Sequence, residues 1–390
     1  MYDVIIIGGG LAGLYTAHCL PKRLRVLILE KYTLGGKVDT YKDEVMTVES
    51  GAARFSKKHV LLMKLIRELG LKDKITPIPS GDPTYITQGR IPMISMKMLW
   101  DKILYGHKKK PTDITFGQYA REMLTEQEYS IFYGSYGYSA EFGLMNAADA
   151  IQAMEEYVHQ FYILKGGLSQ MVKKLVDSLD NTEIKKERAT NVKYLNNQFV
   201  VSTANDQQYE APVCVMAIPR TAVEKFAICR PLKEKLAYIK TSPLCRIYAE
   251  CEPGAFPEKI TTNNDLRFII PITKTVVLAA YTDAKYANRW KKVQDTGGNA
   301  AVGKKLKADL DEIGIHEKLK HLKVFYWPEG VGYWGVGADS ERLERELSHP
   351  FTDLPLYICG ENYSHHHQQW MEGALETAKK TANSISGFFK

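Results

Sequence analysis

Tyr2-Asp3-Val4-Ile5-Ile6-Ile7-Gly8-Gly9-Gly10-Leu11-Ala12-Gly13 follows Met1 directly. The apolar run Tyr2 to Ile7 predicts a strand, and the glycine cluster predicts a tight turn into a helix. A second apolar run, Leu24 to Leu29, is closed by Glu30. Strand, glycine turn, helix, strand and acid in that order make a β-α-β unit built to hold a dinucleotide. Gly8 permits the turn off the strand, and Gly10 lets backbone approach a pyrophosphate. Leu11 and Ala12 begin the helix, whose N–H-rich, partly positive end points at the phosphates. Gly13 lets that helix pack close to the sheet. Glu30 lies 17 residues after Gly13, where a carboxylate accepts both ribose hydroxyls of an adenosine half, with Lys31 beside it.

Gly35-Gly36-Lys37 comes five residues past Glu30. A glycine doublet there resembles the second fingerprint of flavoproteins that bury FAD, in which a basic residue, most often Arg, braces the pyrophosphate. Lys37 offers a point charge instead of a fork. Near the other end, Leu356 to Glu361 reads as a short buried strand ending in Gly360-Glu361, and Trp370-Met371-Glu372-Gly373-Ala374 opens the last helix. Together these resemble the flavin amine oxidase superfamily of monoamine, polyamine and L-amino-acid oxidases. The resemblance implies that Glu361 contacts the ribityl or pyrophosphate region, that Trp370 faces the isoalloxazine ring, and that the helix start at Met371 sets N–H groups against the flavin C2 carbonyl. A helix N-terminus stabilises the negative charge that reduction places there without reorganising. Three intermediate stretches resemble the family in order: Leu164 to Leu179, Ala189 to Lys193, whose backbone is expected to meet the adenine with Val192 at the contact position, and Val213 to Pro219.

The implied fold class is α/β, an FAD-binding Rossmann-like domain interleaved with a mixed sheet-plus-helices substrate domain. The expected FAD-binding segments are 1–56, 164–238 and 324–390; the substrate domain takes 57–163, mostly helical, and 239–323, where strands alternate with a helix near Ala300 to Gly314. At 390 residues the chain can bury a large core. Its 45% apolar and 11% aromatic content is that of a globular protein. No run reaches the roughly 18–20 apolar residues of a membrane span, and with Met1 leading directly into the first strand a secretory signal is not expected. Six scattered cysteines, several in apolar runs, point to reduced thiols in a cytoplasmic protein. The net charge of +7, with lysines crowded into 102–110 and 291–323, reads as solvated faces; no nucleic-acid module is present. A homodimer is compatible with these features.

The resemblance implies oxidation of an amine: a hydride equivalent passes from the amine-bearing carbon to flavin N5, and the imine is hydrolysed in water. Two aromatic walls are the family's device for aligning the amine. One is Trp370; the other is Tyr333 in Trp327 to Trp334, for which a core or rim role is the alternative. Gly332 stands where members with covalent FAD carry Cys, so the FAD is expected to be non-covalent. Glu49 to Phe55 resembles the family's glycine-rich turn at the flavin edge, with Gly51, Ala52 and Ala53 against the cofactor. Arg54 occupies the position that grips the substrate carboxylate in L-amino-acid oxidases, which points to an amino acid or another carboxylate-bearing amine; an ion pair with Glu49 or a flavin phosphate is the competing role. Arg246 stands where the family usually has a Lys that assists re-oxidation by oxygen, so the acceptor is oxygen or another oxidant. His365-His366-His367 is read as a loop at the flavin edge, not a metal site, and Glu141, Asp149 and Glu155 as helix-surface acids that could reach substrate. Two other classes stay open: a desaturase or porphyrinogen oxidase taking apolar substrate, for which only Met93 to Leu104 offers a docking surface, and a catalytically weak FAD-binding protein.

Overall fold

The structure, a computed structural model, describes residues 2–78, 82–106, 111–154 and 160–390. The apolar run at the start forms strand Val4–Ile7, the middle of a five-stranded parallel sheet. Its neighbours are Val26–Leu29 and Val213–Met216, with Thr182–Lys185 and Leu356–Ile358 outside them. Side chains alternate between two cores, as strand geometry requires. Val4 and Ile6 face helices Leu11–Cys19, Ser169–Asp177 and Met371–Phe388, whereas Ile5 and Ile7 face Val192, Phe199, Phe226 and Leu343. The first and last helices of the chain pack directly on one another.

A second sheet has six strands in the order Lys320–Trp334, Ile239–Glu250, Val276–Asp283, Phe268–Pro271, Ile260–Thr262 and Thr84–Ile86. All its pairs are antiparallel except the last. The two long strands lose register between Ser242 and Leu244, where Pro243 has no N–H to donate and a bulge is the usual outcome. Helix Ala284–Glu312 covers the outer face through Trp290, Val302, Leu306 and Leu310. It begins well before the expected Ala300 because Gly297 and Gly298 break it with non-helical backbone, so the pattern ahead of them does not read as one helix.

The helical segment comprises six helices among the described residues between Val60 and Met154. Two start on reciprocal caps, Thr115 with Gln118 and Thr125 with Glu128. Trp100, Phe116, Phe132, Tyr136 and Phe142 form their aromatic core. Helix Val60–Glu68 is different. It buries Leu62, Met63, Leu65 and Ile66 in the core beneath the nucleotide sheet, although the sequence places it in the substrate domain. Strand Lys320–Trp334 likewise runs unbroken across the expected boundary at 324. We propose to divide the two bodies by core instead, with the first extending through Leu71. All six cysteines are free, five of them buried, and among the described residues no helix is long and apolar enough to cross a membrane.

Candidate functional site

A cavity of about 1980 Å³ runs from the glycine turn at the edge of the parallel sheet to the inner face of the six-stranded one. Its near end is made of main chain. Gly8 has φ +108°, and a Cβ there would lie 2.4 Å from the Ala217 carbonyl oxygen. A Cβ on Gly13 would lie 1.9 Å from the Gly8 carbonyl oxygen, so glycine at 13 is what lets helix Leu11–Cys19 seat on the strand. Gly10 caps that helix without a side chain and lines the cavity with Leu11 and Ala12, presenting first-turn N–H groups that have no partner within a helix. Gly36 approaches within 3.3 Å of Gly10 measured from its added Cβ, and Gly35 bridges to Gly10. Gly51 lies against the Lys37 carbonyl, 2.2 Å from a hypothetical Cβ, and Ala52 N donates to that same carbonyl at 2.8 Å.

Charged groups complete this end. Glu30 accepts from Gly9 N and Tyr32 N, both at 2.7 Å, which fixes the carboxylate at the cavity wall. Lys31 lies over the Tyr32 ring at 4.3 Å and also lines the cavity. Lys37 and Glu361 pair with each other at 2.6 Å. The second oxygen of Glu361 and the Asn362 amide nitrogen are buried without a protein partner, and a buried polar atom in that condition is costly unless a ligand meets it. The lining beside the outer strand is Glu187, Arg188, Ala189 and Thr190, while Val192, 2% exposed, packs into the core under the sheet. Strand Ala189–Leu195, in a separate three-stranded antiparallel sheet, passes the cavity with its first residues, and the Val192 side chain points into the core.

Side chains dominate the far end. Trp370 precedes helix Met371–Phe388 and shares the lining with Met371 and Ala374. Its ring stacks on Phe161 at 5.5 Å and 14° and meets His59 at 5.0 Å. Burial, with His367 adding to it, pushes His59 down to about 4, so the imidazole behind the tryptophan is neutral at physiological pH. Glu372 turns away from the cavity and accepts from Leu61 N at 2.7 Å and Leu62 N at 2.8 Å, capping helix Val60–Glu68. Tyr333, 2% exposed, lines the same cavity from the end of the long strand. A Cβ on Gly332 would sit 2.4 Å from Asn362 Nδ2, and no lining residue is a cysteine.

Arg54 enters the chamber from the turn after Gly51. Its guanidinium lies 4.7 Å from the Phe161 ring centroid and 6.0 Å from that of Trp370, and it donates to the Tyr138 hydroxyl at 3.1 Å. The Glu49 carboxylate accepts from Leu168 N at 2.8 Å and Thr40 Oγ1 at 2.9 Å. The Glu49 carbonyl accepts from Arg246 at 3.1 Å and from the Tyr248 hydroxyl at 2.8 Å. Arg246 lies 4.6 Å from the Tyr281 ring centroid and is 6% exposed. The six-stranded sheet supplies Lys259, Phe268, Ile270, Leu278 and Tyr281; the helices supply Tyr136, Tyr138 and Glu141, the last buried and bonded to the Tyr136 hydroxyl. Lys259, Tyr138, Phe161 and His59 escape sequence reading because each lies in a segment with no motif of its own.

The three histidines diverge. His365 bonds to Ser340, His366 to Gln152 and His367 to Glu376. Among the described residues no cluster could hold a metal ion. Asp149, buried, accepts from Ser340 and Asn146 and does not line the cavity; Glu155 falls outside the described residues.

The donor set suits FAD. Glycine backbone and a helix N-terminus would meet a pyrophosphate, Glu30 would accept from a ribose, the unsatisfied Glu361 and Asn362 atoms would gain partners, and the aromatic chamber could take a ring against Trp370. Residues 101–386 match the flavin containing amine oxidoreductase family, and residues 6–69 match an NAD(P)-binding Rossmann-like domain. The flavin-containing amine oxidase A of Canis lupus familiaris is 22% identical over 460 residues, covering 99% of this chain and 85% of that protein. Cyclohexylamine oxidase from Brevibacterium oxydans IH-35A superposes with a TM-score of 0.78 at 16% identity, covering 100% of this chain and 99% of that one. A protein described as a protoporphyrinogen oxidase from Exiguobacterium sp. 255-15 gives 0.78 at 18% identity, covering 99% of each chain. At those identities the structures attest the fold, and the sequence match attests the kinship. The chain belongs to the flavin-containing amine oxidoreductase family and is an FAD-dependent amine oxidoreductase.

Proposed function

We propose that the substrate is an amine bearing a carboxylate, as an amino acid does, and that Arg54 holds that carboxylate. The observation that carries this reading is the guanidinium of Arg54 laid across Phe161 beside Trp370, inside a chamber rich in aromatic and aliphatic side chains. A guanidinium presents paired donors at carboxylate spacing, and in a dry chamber such a pair is strong. Bound FAD supplies the electron-pair acceptor for the carbon–hydrogen bond next to the nitrogen.

The chain's own residues do the rest. Trp370 and Tyr333 act as apolar walls that orient the amine and exclude water. Neutral His59 keeps the back of Trp370 uncharged, so no cation there opposes the developing imine. The amine must lose its ammonium proton to solvent or to a nearby acceptor before oxidation, since no lone pair is otherwise available. Arg246 is held by the Glu49 carbonyl, Tyr248 and Tyr281, and cannot release a proton near neutrality. We assign it to positioning the turn that carries Arg54, not to proton transfer. Oxygen or another oxidant then serves as acceptor. Gly332, with no space for a larger side chain, and a lining free of thiols support non-covalent FAD.

Arg54→Ala tests the substrate assignment. The Michaelis constant for amino acids is expected to rise about 10- to 100-fold, the size of a lost charge-assisted hydrogen bond, with a smaller change for simple amines. An unchanged Michaelis constant for every accepted amino acid would refute it. Acid precipitation is expected to leave yellow flavin in the supernatant; a yellow pellet would overturn the non-covalent assignment.

A further inference from the structure

We propose that Asp283 and Arg267 are positioning residues of the chamber: from behind its wall they clamp the turn 137–139 at both ends and so hold Tyr138 against Arg54. What that contact serves rests on the reading of Arg54 given above; the clamp on Tyr138 does not.

Tyr138 stands between two helices, Glu126–Tyr136 and Ala140–Leu144. Such a break leaves the last carbonyls of the first helix and the first N–H groups of the second in need of partners. Arg267 meets the carbonyls. Its Nε donates to the Gly137 carbonyl at 3.1 Å, its Nη2 to that of Tyr133 at 3.0 Å and its Nη1 to that of Thr262 at 3.0 Å. Asp283 meets the N–H groups. Both its oxygens accept from Ser139 N at 2.9 Å, Oδ2 also from Ala140 N at 2.7 Å, and Oδ1 from the Ser139 hydroxyl at 2.7 Å. A cation where one helix ends and an anion where the next begins each have the favourable sign. Both residues are fully buried, and neither lines the cavity.

Two features tie these charges to the turn. Asp283 immediately precedes helix Ala284–Glu312, where an acid ordinarily caps the helix it introduces. Its side chain makes no bond to that helix, and Ala284 N donates to Ser242 Oγ at 3.1 Å instead. Arg267 has φ +56°, a conformation that a residue with a side chain keeps only where its surroundings impose it. The strands that carry the clamp also carry the rings on which Tyr138 packs. Phe268, next to Arg267, meets Tyr138 at 4.8 Å, and Tyr281, two residues before Asp283, meets it at 5.5 Å. A Cβ on Gly137 would lie 2.2 Å from the Phe268 ring, so the turn is seated directly on that strand. The Tyr138 hydroxyl then accepts from Arg54 at 3.1 Å. Burial pushes the Asp283 carboxyl up, and the bonds from Ala140 and Ser139, with the Arg267 charge, favour the ionised form against it. The chain of contact runs from the Asp283 carboxylate through the Ser139 backbone to Tyr138 and on to Arg54.

The experiment is a double-mutant cycle on the purified holoenzyme, with KM and kcat measured for the amine it oxidises fastest in a panel of amino acids and alkyl amines. Asp283→Asn keeps the size but sets an amide N–H against the donors of Ser139 and Ala140. It is expected to raise KM about 10-fold, the range of one charge-assisted hydrogen bond, with kcat within about 2-fold of wild type. In Tyr138→Ala the same substitution is expected to change KM by less than about 2-fold, because the group it positions is gone. An equal effect in both backgrounds makes Asp283 a general support of the fold and overturns the proposal, as does an unchanged KM in the presence of Tyr138. Arg267→Lys, which keeps the charge and loses the fork, is expected to show the same dependence on Tyr138, and additivity there removes Arg267 from the clamp. Should Asp283→Asn fail to fold, Ser139→Ala removes a single donor and enters the same cycle. A rise in KM of about 3-fold with Tyr138 present and none without it supports the clamp, and additivity rejects it. Arg54→Ala keeps the two readings apart. If it leaves KM unchanged the Arg54 reading falls, while the cycle still decides the clamp, since Tyr138 lines the chamber in either case.

Discussion

The two ends of the cavity are built from different material. At the nucleotide end the chain withdraws its side chains. A Cβ at Gly8, Gly13 or Gly51 would strike a main-chain carbonyl at 2.4, 1.9 or 2.2 Å. The groups left facing the cavity are N–H donors, a helix N-terminus and a few charges. At the chamber end the main chain retreats, and Arg54, Tyr138, Phe161, Lys259, Phe268, Tyr281, Tyr333 and Trp370 meet from elements far apart in sequence. Backbone can recognise what every member of a cofactor class shares, a pyrophosphate and a ribose. Only side chains can distinguish one amine from another. The first end therefore tolerates almost no substitution, and the second can be rebuilt without loss of the fold.

Substitutions can break that contrast. The largest effect is expected at Gly13. Valine there must push helix Leu11–Cys19 off strand Val4–Ile7, because the obstructing atom is main chain, and overpacking of this severity costs about 3 kcal/mol or more. Gly13→Val should yield colourless, largely insoluble protein, and a soluble yellow variant with a near-normal melting temperature would show that the turn is looser than its geometry implies. Next comes Glu30→Ala. It removes an acceptor for Gly9 N and Tyr32 N and the carboxylate assigned to the ribose. FAD affinity by titration of apoprotein should fall about 10- to 100-fold, with turnover little changed once FAD is saturating.

Phe161→Ala sharpens the other side. Phe161 stacks on Trp370 and underlies Arg54, so both lose a fixed surface. The variant should fold, stay yellow and raise KM for the amine about 10-fold. Loss of FAD instead would mean that the ends are not separable.

The nucleotide end was readable from residues because its logic is local. Strand, glycines, helix and Glu30 are contiguous, and each spacing carries a geometric reason. Gly360-Glu361 and Trp370-Met371 could be read because they too form a compact run, and the resemblance placed that run at the cofactor. The chamber was readable only where one of its residues touched such a run: Arg54 follows the turn at Gly51, and Tyr333 follows Gly332. Lys259 and Phe268 are ordinary sheet residues until pairing with Thr84–Ile86 and Val276–Asp283 brings them inward. The strand that carries Val192 is hard to place for a related reason. Strand periodicity permits either register, and only the packed sheet shows that the cavity is met at Ala189 and Thr190. The packing of helix Val60–Glu68 on the nucleotide core has no local signal, because its partner, Glu372, is 311 residues from Leu61.

Glu49 connects the two ends and gives the smallest expected effect. Burial pushes its carboxyl up to about 7 from a usual value near 4.5, against the opposing hydrogen bonds from Leu168 N and Thr40. A folded-state value above the unfolded one means the native protein binds this proton more tightly. Glu49 therefore costs nothing below about pH 4.5, grows costly as pH rises toward 7, and levels off above it. Glutamine removes the ionisation and keeps the shape: its carbonyl can accept from Leu168 N, and its amide can donate to Thr40 Oγ1, which already accepts from Ser169 N. With partial exposure allowed for, Glu49→Gln should gain about 1 kcal/mol over wild type at pH 8 and nothing at pH 4.5. Melting temperatures at both pH values, with FAD saturating, measure this directly. A difference that is the same at both would mean Glu49 does not titrate in this window, and its carboxylate would then be a permanent charge facing Arg246 across the turn that carries Arg54.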